Sequence, residues 1–265
     1  MDIISILALV VLIILIYMVF KVTTKILKIV SLVFIGIIVI SFVLGFFIVR
    51  DAKDFRENFP VEEKKILLLN EDEIITAFST KVDDVNITSQ DELDELNSLY
   101  KLEKYDDMLD DSYKMMIFNF SVVEDSKADE FEFDGMTITK EQIIAILLSD
   151  NPMHDYIEDI KRDDPEDYMI NSDKDRELKA KLFAVVFTEG IMDSKLFFYS
   201  QYQKDKIYIY PETIMFKAIR LMPLSLIQDK LDEVKTSIKE SIKEKITDKI
   251  NETFSKKEVD LNGTA

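Results

Sequence analysis

The sequence predicts an α+β soluble domain anchored by an N-terminal transmembrane α-helical hairpin and followed by a long C-terminal helix. Two apolar runs without a charged residue, residues 3–20 and 29–49, predict the hairpin. Short strand-like and helix-like segments alternate over residues 51–222, as in α+β domains. An apolar stripe that repeats every four residues predicts the C-terminal helix over residues 223–258, and residues 259–265 are expected to form a disordered tail.

The two apolar runs place residues 1–50 in the membrane. A helix needs roughly 20 apolar residues to cross the hydrocarbon core, where helices and closed barrels alone satisfy the backbone. A cleaved signal peptide is an alternative for the first run, but a basic N-terminal region and a small-residue cleavage site are both missing. A buried pair of core helices is disfavoured because both runs are apolar on every face. The linker KVTTKILK, residues 21–28, makes the pair a hairpin.

Three small residues mark one side of the second run. Ser41 and Gly45 are four residues apart, and Gly36 precedes them. Small residues at this spacing allow helices to approach closely in a bilayer, so Gly36, Ser41 and Gly45 are predicted to form a helix-packing surface.

The basic residues around the two runs indicate the orientation of the domain. The linker carries Lys21, Lys25 and Lys28 and no acid, which places it in the cytoplasm and the domain outside. The flank after the second run has as many basic residues as the linker, namely Arg50, Lys53 and Arg56. An extracytoplasmic domain is favoured because the first helix often decides the topology. The inverted topology, with a cytoplasmic adaptor domain, is the alternative.

Cysteine usage and glycosylation sequons add little to the question of compartment. The chain has no cysteine, so it indicates neither an oxidising nor a reducing environment. Four N-x-[ST] sequons begin at Asn86, Asn119, Asn251 and Asn262. Asn119 lies in a predicted strand and Asn251 in a predicted helix. Asn86 and Asn262 are therefore the candidate N-glycosylation sites.

Local signals define most elements of the soluble part. Residues 66–69 and 74–78 predict a β-hairpin joined by NEDE, and residues 113–123 and 206–210 predict strands. A capping box at Ser89 predicts a helix through about Leu109. Further helices are predicted over residues 141–148, from Pro152 with Asn151 as its cap, over residues 172–192, and from Pro211 to about Met222. The run DDPED at residues 163–167 predicts a solvated break.

Residues 129–141, DEFEFDGMTITKE, resemble a calcium loop with carboxylates at positions 1, 3, 5 and 12 counted from Glu130. Glu130 and Glu132 are longer than the Asp or Asn that such a loop favours, and a helix does not lead into it. Asp134-Gly135 is instead a two-residue hairpin turn, and Thr139 with Gln142 forms a capping box. A hairpin followed by a helix is therefore predicted.

Catalytic motifs are missing from the sequence. Without cysteine there is no thiol nucleophile, and the single histidine, His154, cannot form a histidine pair for zinc. Glycine-rich phosphate loops are also missing. Asp106, Asp107, Asp110 and Asp111 lie at helical spacing, and a solvated helix end is favoured over a metal site. No catalytic residue, cofactor, metal or small-molecule ligand is predicted.

The juxtamembrane stretch RDAKDFRENFPVEEKKILLLNEDEIITAF, residues 50–78, follows the predicted membrane hairpin directly. In this order of features the first third of the chain resembles uncharacterised two-transmembrane-helix envelope proteins of small-genome archaea. The resemblance implies an archaeal envelope protein and brings no activity and no site residues.

The sequence therefore favours a membrane-anchored, non-enzymatic envelope protein that presents an acidic domain for protein binding or assembly. The net charge of −18 disfavours nucleic-acid partners. The expected partners are the lipid bilayer and a second protein or another copy of the chain. The C-terminal helix is the element expected to pair with a helix of such a protein partner. The alternative is a membrane-anchored hydrolase that uses carboxylates or a serine–lysine pair.

Overall fold

The computed structural model describes residues 3–82, 84–162 and 171–223. The chain divides into two compact units at the boundary between Arg50 and Asp51. The predicted break at residues 163–167 lies outside the described residues. So does the predicted C-terminal helix beyond residue 223, together with the tail and with Asn251 and Asn262.

Helix α1 spans Ile3–Asn58, 56 residues, and corrects the predicted hairpin. The turn expected at residues 21–28 is not present, because these residues are helical. KVTTKILK contains no glycine and no proline, so it has no residue that ends a helix efficiently. Among the described residues, one helical segment, Leu27–Asn58, is long and apolar enough to cross a membrane.

The second unit is built on a five-stranded mixed sheet with the order β3-β2-β1-β4-β7. β1 pairs antiparallel with β2 and parallel with β4, and β2–β3 and β4–β7 are antiparallel. A separate antiparallel pair is formed by β5 and β6. The strands are β1 Lys64–Asn70, β2 Glu73–Lys81, β3 Asp84–Ile87, β4 Lys114–Asn119, β5 Glu130–Phe133, β6 Met136–Thr139 and β7 Ile207–Tyr210.

The helices of this unit are short. They are α2 Gln90–Lys101, α3 Tyr105–Leu109, α4 Ser121–Glu124, α5 Lys140–Leu148, α6 Pro152–Asp155, α7 Ser172–Val185, α8 Lys195–Gln203 and α9 Ile214–Leu221. Two π-helical segments continue α6 and α7, π1 Tyr156–Lys161 and π2 Val186–Ile191.

Helices cover both faces of the large sheet, which is why residues 66–69 of β1 are all apolar and buried. On one face, α2 and α3 contribute Leu93, Leu96 and Met108 to a core with Leu67, Ala77 and Ile117 of the strands. On the other face, Phe118 of β4 and Phe78 of β2 lie against Phe183 and Phe187, with ring centroids 5.4–6.2 Å apart. The unit is therefore an α+β fold, as predicted, and the sheet is its middle layer.

Several predicted elements differ from the structure in extent. The helix from Ser89 ends at Lys101, because Glu103 takes a positive φ of 55° and α3 begins anew at Tyr105. The strand predicted over residues 113–123 ends at Asn119 and gives way to α4. The last described helix begins at Ile214 rather than at Pro211. β3 and α8 were not predicted.

Candidate functional site

The stretch DEFEFDGMTITKE forms the predicted hairpin and helix start. Asp134 and Gly135 have φ values of 53° and 72°, and Phe131 and Phe133 are buried while Glu130 and Glu132 face solvent. The Asp134 carboxylate lies 3.0 Å from the Lys161 ammonium and accepts a hydrogen bond from the Tyr156 hydroxyl. Asp134 is therefore already bound within the domain.

The Thr139 capping box is confirmed. Its hydroxyl accepts from the Gln142 backbone, and the Gln142 side chain accepts from the Thr139 backbone. Asn151 is the N-cap residue of α6 and Pro152 its first residue, as predicted, but the Asn151 side chain makes no capping hydrogen bond. Ser149 turns the chain there instead, since its hydroxyl accepts from the Asn151 backbone N–H.

The other polar residues singled out in the sequence do not form a common site. His154 is 48% exposed, with its Nδ1 3.5 Å from carboxylate oxygens of Asp155 and Glu158. Within the described residues, no group of three or more histidine, aspartate or glutamate side chains is arranged to hold a metal ion.

The aspartates of the α3 region have separate partners. Asp106 accepts from the Tyr210 hydroxyl at 2.5 Å, whereas Asp107 lies 3.7 Å from the Lys104 ammonium and Asp110 lies 3.8 Å from that of Lys65. Each of these three carboxylates is therefore engaged by a different partner.

A cleft of about 570 Å³ lies between helices α2 and α3 and the strands β1, β2 and β3. Its apolar lining includes the half-buried Ile87 and Leu99, which lie over the buried core residues Leu67, Leu96 and Met108. Five carboxylates and one lysine also line it: Glu63, Glu92, Glu95, Asp107, Asp110 and Lys65. The cleft thus combines an apolar floor with a negatively charged rim, which we call the acidic cleft.

A polar row crosses the strands beside this cleft. Lys65 of β1 is the cross-strand partner of Ser79 of β2, and Ser79 is in turn the partner of Asn86 of β3. Asn86, a predicted glycosylation site, is exposed on this edge strand and lines the cleft. A glycan at Asn86 would therefore occupy the cleft wall.

Lys65 and Ser79 are the pair closest to a serine–lysine arrangement in the cleft. The Lys65 ammonium donates to the Met108 carbonyl at 3.1 Å and lies 3.8 Å from the Asp110 carboxylate. Both contacts direct the ammonium to partners other than Ser79. The geometry therefore does not provide Ser79 with a base.

The capping box at Ser89 fixes one rim carboxylate. The Glu92 side chain accepts from the Ser89 backbone N–H at 2.8 Å and from its hydroxyl at 2.9 Å. These hydrogen bonds lower the pKa of Glu92 below its usual value. Glu92 therefore remains charged at neutral pH, and with Glu95 one turn further on it makes α2 an acidic wall.

A second polar cluster joins the last turns of α1 to the sheet. Lys64 and Lys114, partners on the parallel strands β1 and β4, are only 1% and 3% exposed. The Lys114 ammonium donates to the Pro211 carbonyl at 2.7 Å. Tyr113 donates to Asp54 of α1 at 2.7 Å, and the Asp51 carboxylate accepts from the Met215 backbone at 3.3 Å.

Burial shapes the charges of this second cluster. It lowers the pKa of Lys114, against the opposing effect of Asp54 and Asp51, and it raises the pKa of Tyr113. The side chains of this cluster contact other residues of the same unit, and both lysines are buried, so we assign the cluster a structural role.

Among the described residues, Gly36 and Gly45 of α1 have open space beside them. A Cβ atom added to Gly36 or Gly45 would meet no atom within 4 Å, and Ser41 is exposed. The helix-packing role of Gly36, Ser41 and Gly45 stays a prediction.

No protein-family model, no curated protein and no solved structure matches the chain. The resemblance to archaeal envelope proteins thus stays a prediction. The acidic cleft was not predicted, because it depends on the unpredicted strand β3 and on the pairing of strands. One feature of the rim is visible in the sequence, namely the excess of acidic residues along α2 and α3.

Proposed function

We propose that the protein is a membrane-anchored, non-enzymatic binding module whose acidic cleft takes a basic segment of a protein partner. The observation that carries the proposal is the combination of an apolar floor with five carboxylates at the rim of one cleft. Lysine and arginine side chains have the matching structure, since their aliphatic stems contact apolar surface while their charged ends stay among polar groups.

The charge of the chain favours a different protein over a second copy in this cleft. The formal net charge is −18, so two acidic domains repel each other, whereas a basic partner is attracted. Self-association through Gly36, Ser41 and Gly45 of α1 is a separate prediction, and it does not involve the cleft.

Binding of a lysine probe tests the cleft. We expect the full chain in lipid nanodiscs to bind an alternating lysine–alanine dodecapeptide, and Glu95→Lys with Asp107→Lys to weaken this binding about tenfold. Both residues are exposed, and Asp107 has only an exposed ion pair, so the fold should tolerate the change. Fluorescence anisotropy with a labelled peptide measures the affinity.

The matched control reverses two exposed acids on β5, Glu130→Lys with Glu132→Lys, which keeps the change in net charge and leaves the cleft intact. The control should bind the peptide within about twofold of the wild type. Equal weakening by both double variants would mean that net charge alone attracts the peptide, and the proposal would fall.

We propose further that Leu27–Asn58 anchors the chain and that the domain faces the extracytoplasmic side. Lys21, Lys25 and Lys28 precede the most apolar part of this segment, which favours a cytoplasmic position for that end. Two passes would need a turn at residues 21–28, which are helical, so the proposal uses one span.

The absence of cysteine makes the orientation directly measurable. A single Glu132→Cys variant carries the only thiol of the chain, on an exposed strand position. We expect a membrane-impermeant maleimide to label this variant on intact cells. Labelling that occurs only after the cells are lysed would place the domain in the cytoplasm, as in the adaptor alternative.

A further inference from the structure

Four half-buried tyrosines form a patch on the sheet face that also carries the acidic cleft, on the other side of α3. The tyrosine patch consists of Tyr100, Tyr105, Tyr208 and Tyr210, which pack on the core beneath them. Tyr105 lies at its centre, with its ring centroid 5.3 Å from Tyr208, 5.7 Å from Tyr210 and 6.3 Å from Tyr100. Tyr208 and Tyr210 are stacked at 6.4 Å.

The patch lies along an edge of the sheet. Tyr208 and Tyr210 alternate along β7, which pairs with β4 on one side. Within the described residues no strand pairs with β7 on its other side. An unpaired edge of this kind accepts an extended chain as an additional strand, and the side chains of that strand would lie beside Tyr208 and Tyr210.

Several carboxylates lie close to the patch. Asp106 accepts the hydrogen bond of the Tyr210 hydroxyl, and its carboxylate is exposed. Asp72 and Glu212 are close enough to help raise the pKa values of Tyr100 and Tyr208, for which burial is the main cause. Arg220 is the basic residue near Tyr208, and it is paired with Glu212 at 2.7 Å and with Asp205 at 3.1 Å.

We propose that the tyrosine patch binds an extended, arginine-bearing segment of a protein partner alongside β7. The planar guanidinium stacks on aromatic faces and forms directed hydrogen bonds with a carboxylate, and the patch offers both, in the rings of Tyr208 and Tyr210 and in Asp106. Tyrosine is also enriched where proteins bind each other, since its ring is apolar and its hydroxyl is polar.

This inference rests on the proposed function, because it describes a second contact region for a basic partner. α3 links the two regions: Asp107 and Met108 line the acidic cleft, whereas Tyr105 and Asp106 belong to the patch. Beyond the proposed function, the inference specifies that arginine is preferred over lysine and that the bound segment is extended.

Two double variants of β7 test the patch. The full chain in nanodiscs is titrated with an alternating arginine–valine hexapeptide and with its lysine counterpart. Tyr208→Phe with Tyr210→Phe keeps both rings, so we expect binding within about threefold of the wild type. Tyr208→Leu with Tyr210→Leu removes the aromatic faces, and we expect arginine-peptide binding to fall about fivefold or more, with a smaller change for lysine.

Wild-type affinity in the leucine double variant, or an equal loss in both double variants, would overturn the inference. Because the rings also pack on the core, a second measurement avoids substitution. With 3-fluorotyrosine incorporated, the arginine peptide should shift the fluorine resonances of the patch and leave that of Tyr199 unchanged. Resonances of the patch that do not shift would also overturn it.

The same peptides separate this inference from the proposed function. If the leucine double variant binds normally while Glu95→Lys with Asp107→Lys weakens binding, the patch is excluded and the cleft stands. If the leucine double variant loses arginine preference while the cleft variant binds normally, the patch alone recognises the peptide and the proposed function falls.

Discussion

Phe118→Ala should lower the free energy of unfolding of the second unit by about 3–5 kcal/mol. Phe118 is fully buried on the interior strand β4, and its ring contacts those of Phe183, Phe187 and Phe198 at centroid distances of 5.4–6.3 Å. Truncation removes apolar contact and leaves a cavity that the layers on either side of β4 cannot close. Domains are typically stable by only about 5–15 kcal/mol, so this loss is a large fraction of the total.

Urea unfolding of the full chain in nanodiscs, followed by tyrosine fluorescence, measures this effect. Leu102→Ala is the matched control, because Leu102 is 64% exposed at the end of α2. The control should change stability by no more than about 0.5 kcal/mol. A Phe118→Ala variant that lost less than about 1 kcal/mol would contradict the position of β4 between two covered faces.

Lys114→Ala should cost about 3 kcal/mol, whereas Lys114→Met should cost about 1–2 kcal/mol. The Lys114 ammonium donates to the Pro211 carbonyl and lies 5.2 Å from the Tyr113 ring centroid and 5.9 Å from that of Phe216. Methionine replaces most of the buried stem but leaves the carbonyl without its donor. Alanine removes the packing as well.

Lys53→Ala is the control, on the turns of α1 that contribute Asp51 and Asp54 to the cluster, since the Lys53–Glu57 pair is exposed and contributes little. The pH dependence gives a second test. Burial lowers the pKa of Lys114, so the unfolded chain keeps the proton up to a higher pH than the folded one. Stability therefore rises with pH between the lowered pKa and about 10.5. The difference between wild type and Lys114→Met should grow over that range, and a constant difference would contradict the buried charge.

The elements with strong local signals were predicted correctly. Both capping boxes, at Ser89 and Thr139, are present, because their hydrogen bonds depend on residues only three apart. The Asp134-Gly135 turn is present for the same reason, since the positive φ of both residues is a property of the dipeptide.

The features that sequence reasoning missed depend on distant parts of the chain. β3 has the unpromising sequence DVNI and forms because β2 offers it an edge, so tertiary pairing overrides local propensity. The acidic cleft requires Lys65, Ser79 and Asn86 to lie in one row, which the register of three strands decides. The leucine spacing that predicted one helix to Leu109 continues through Leu102, yet Leu102 is exposed where the chain turns.

The acidic cleft is most directly tested by exchanging the charges of protein and peptide. The wild type should bind the lysine–alanine dodecapeptide and not its glutamate–alanine counterpart. In the variant Glu95→Lys with Asp107→Lys, the lysine peptide should bind about tenfold more weakly and the glutamate peptide about tenfold more tightly. The ratio of the two affinities should therefore shift toward the glutamate peptide by about a hundredfold. A ratio that stays at the wild-type value in this variant would contradict binding in the cleft.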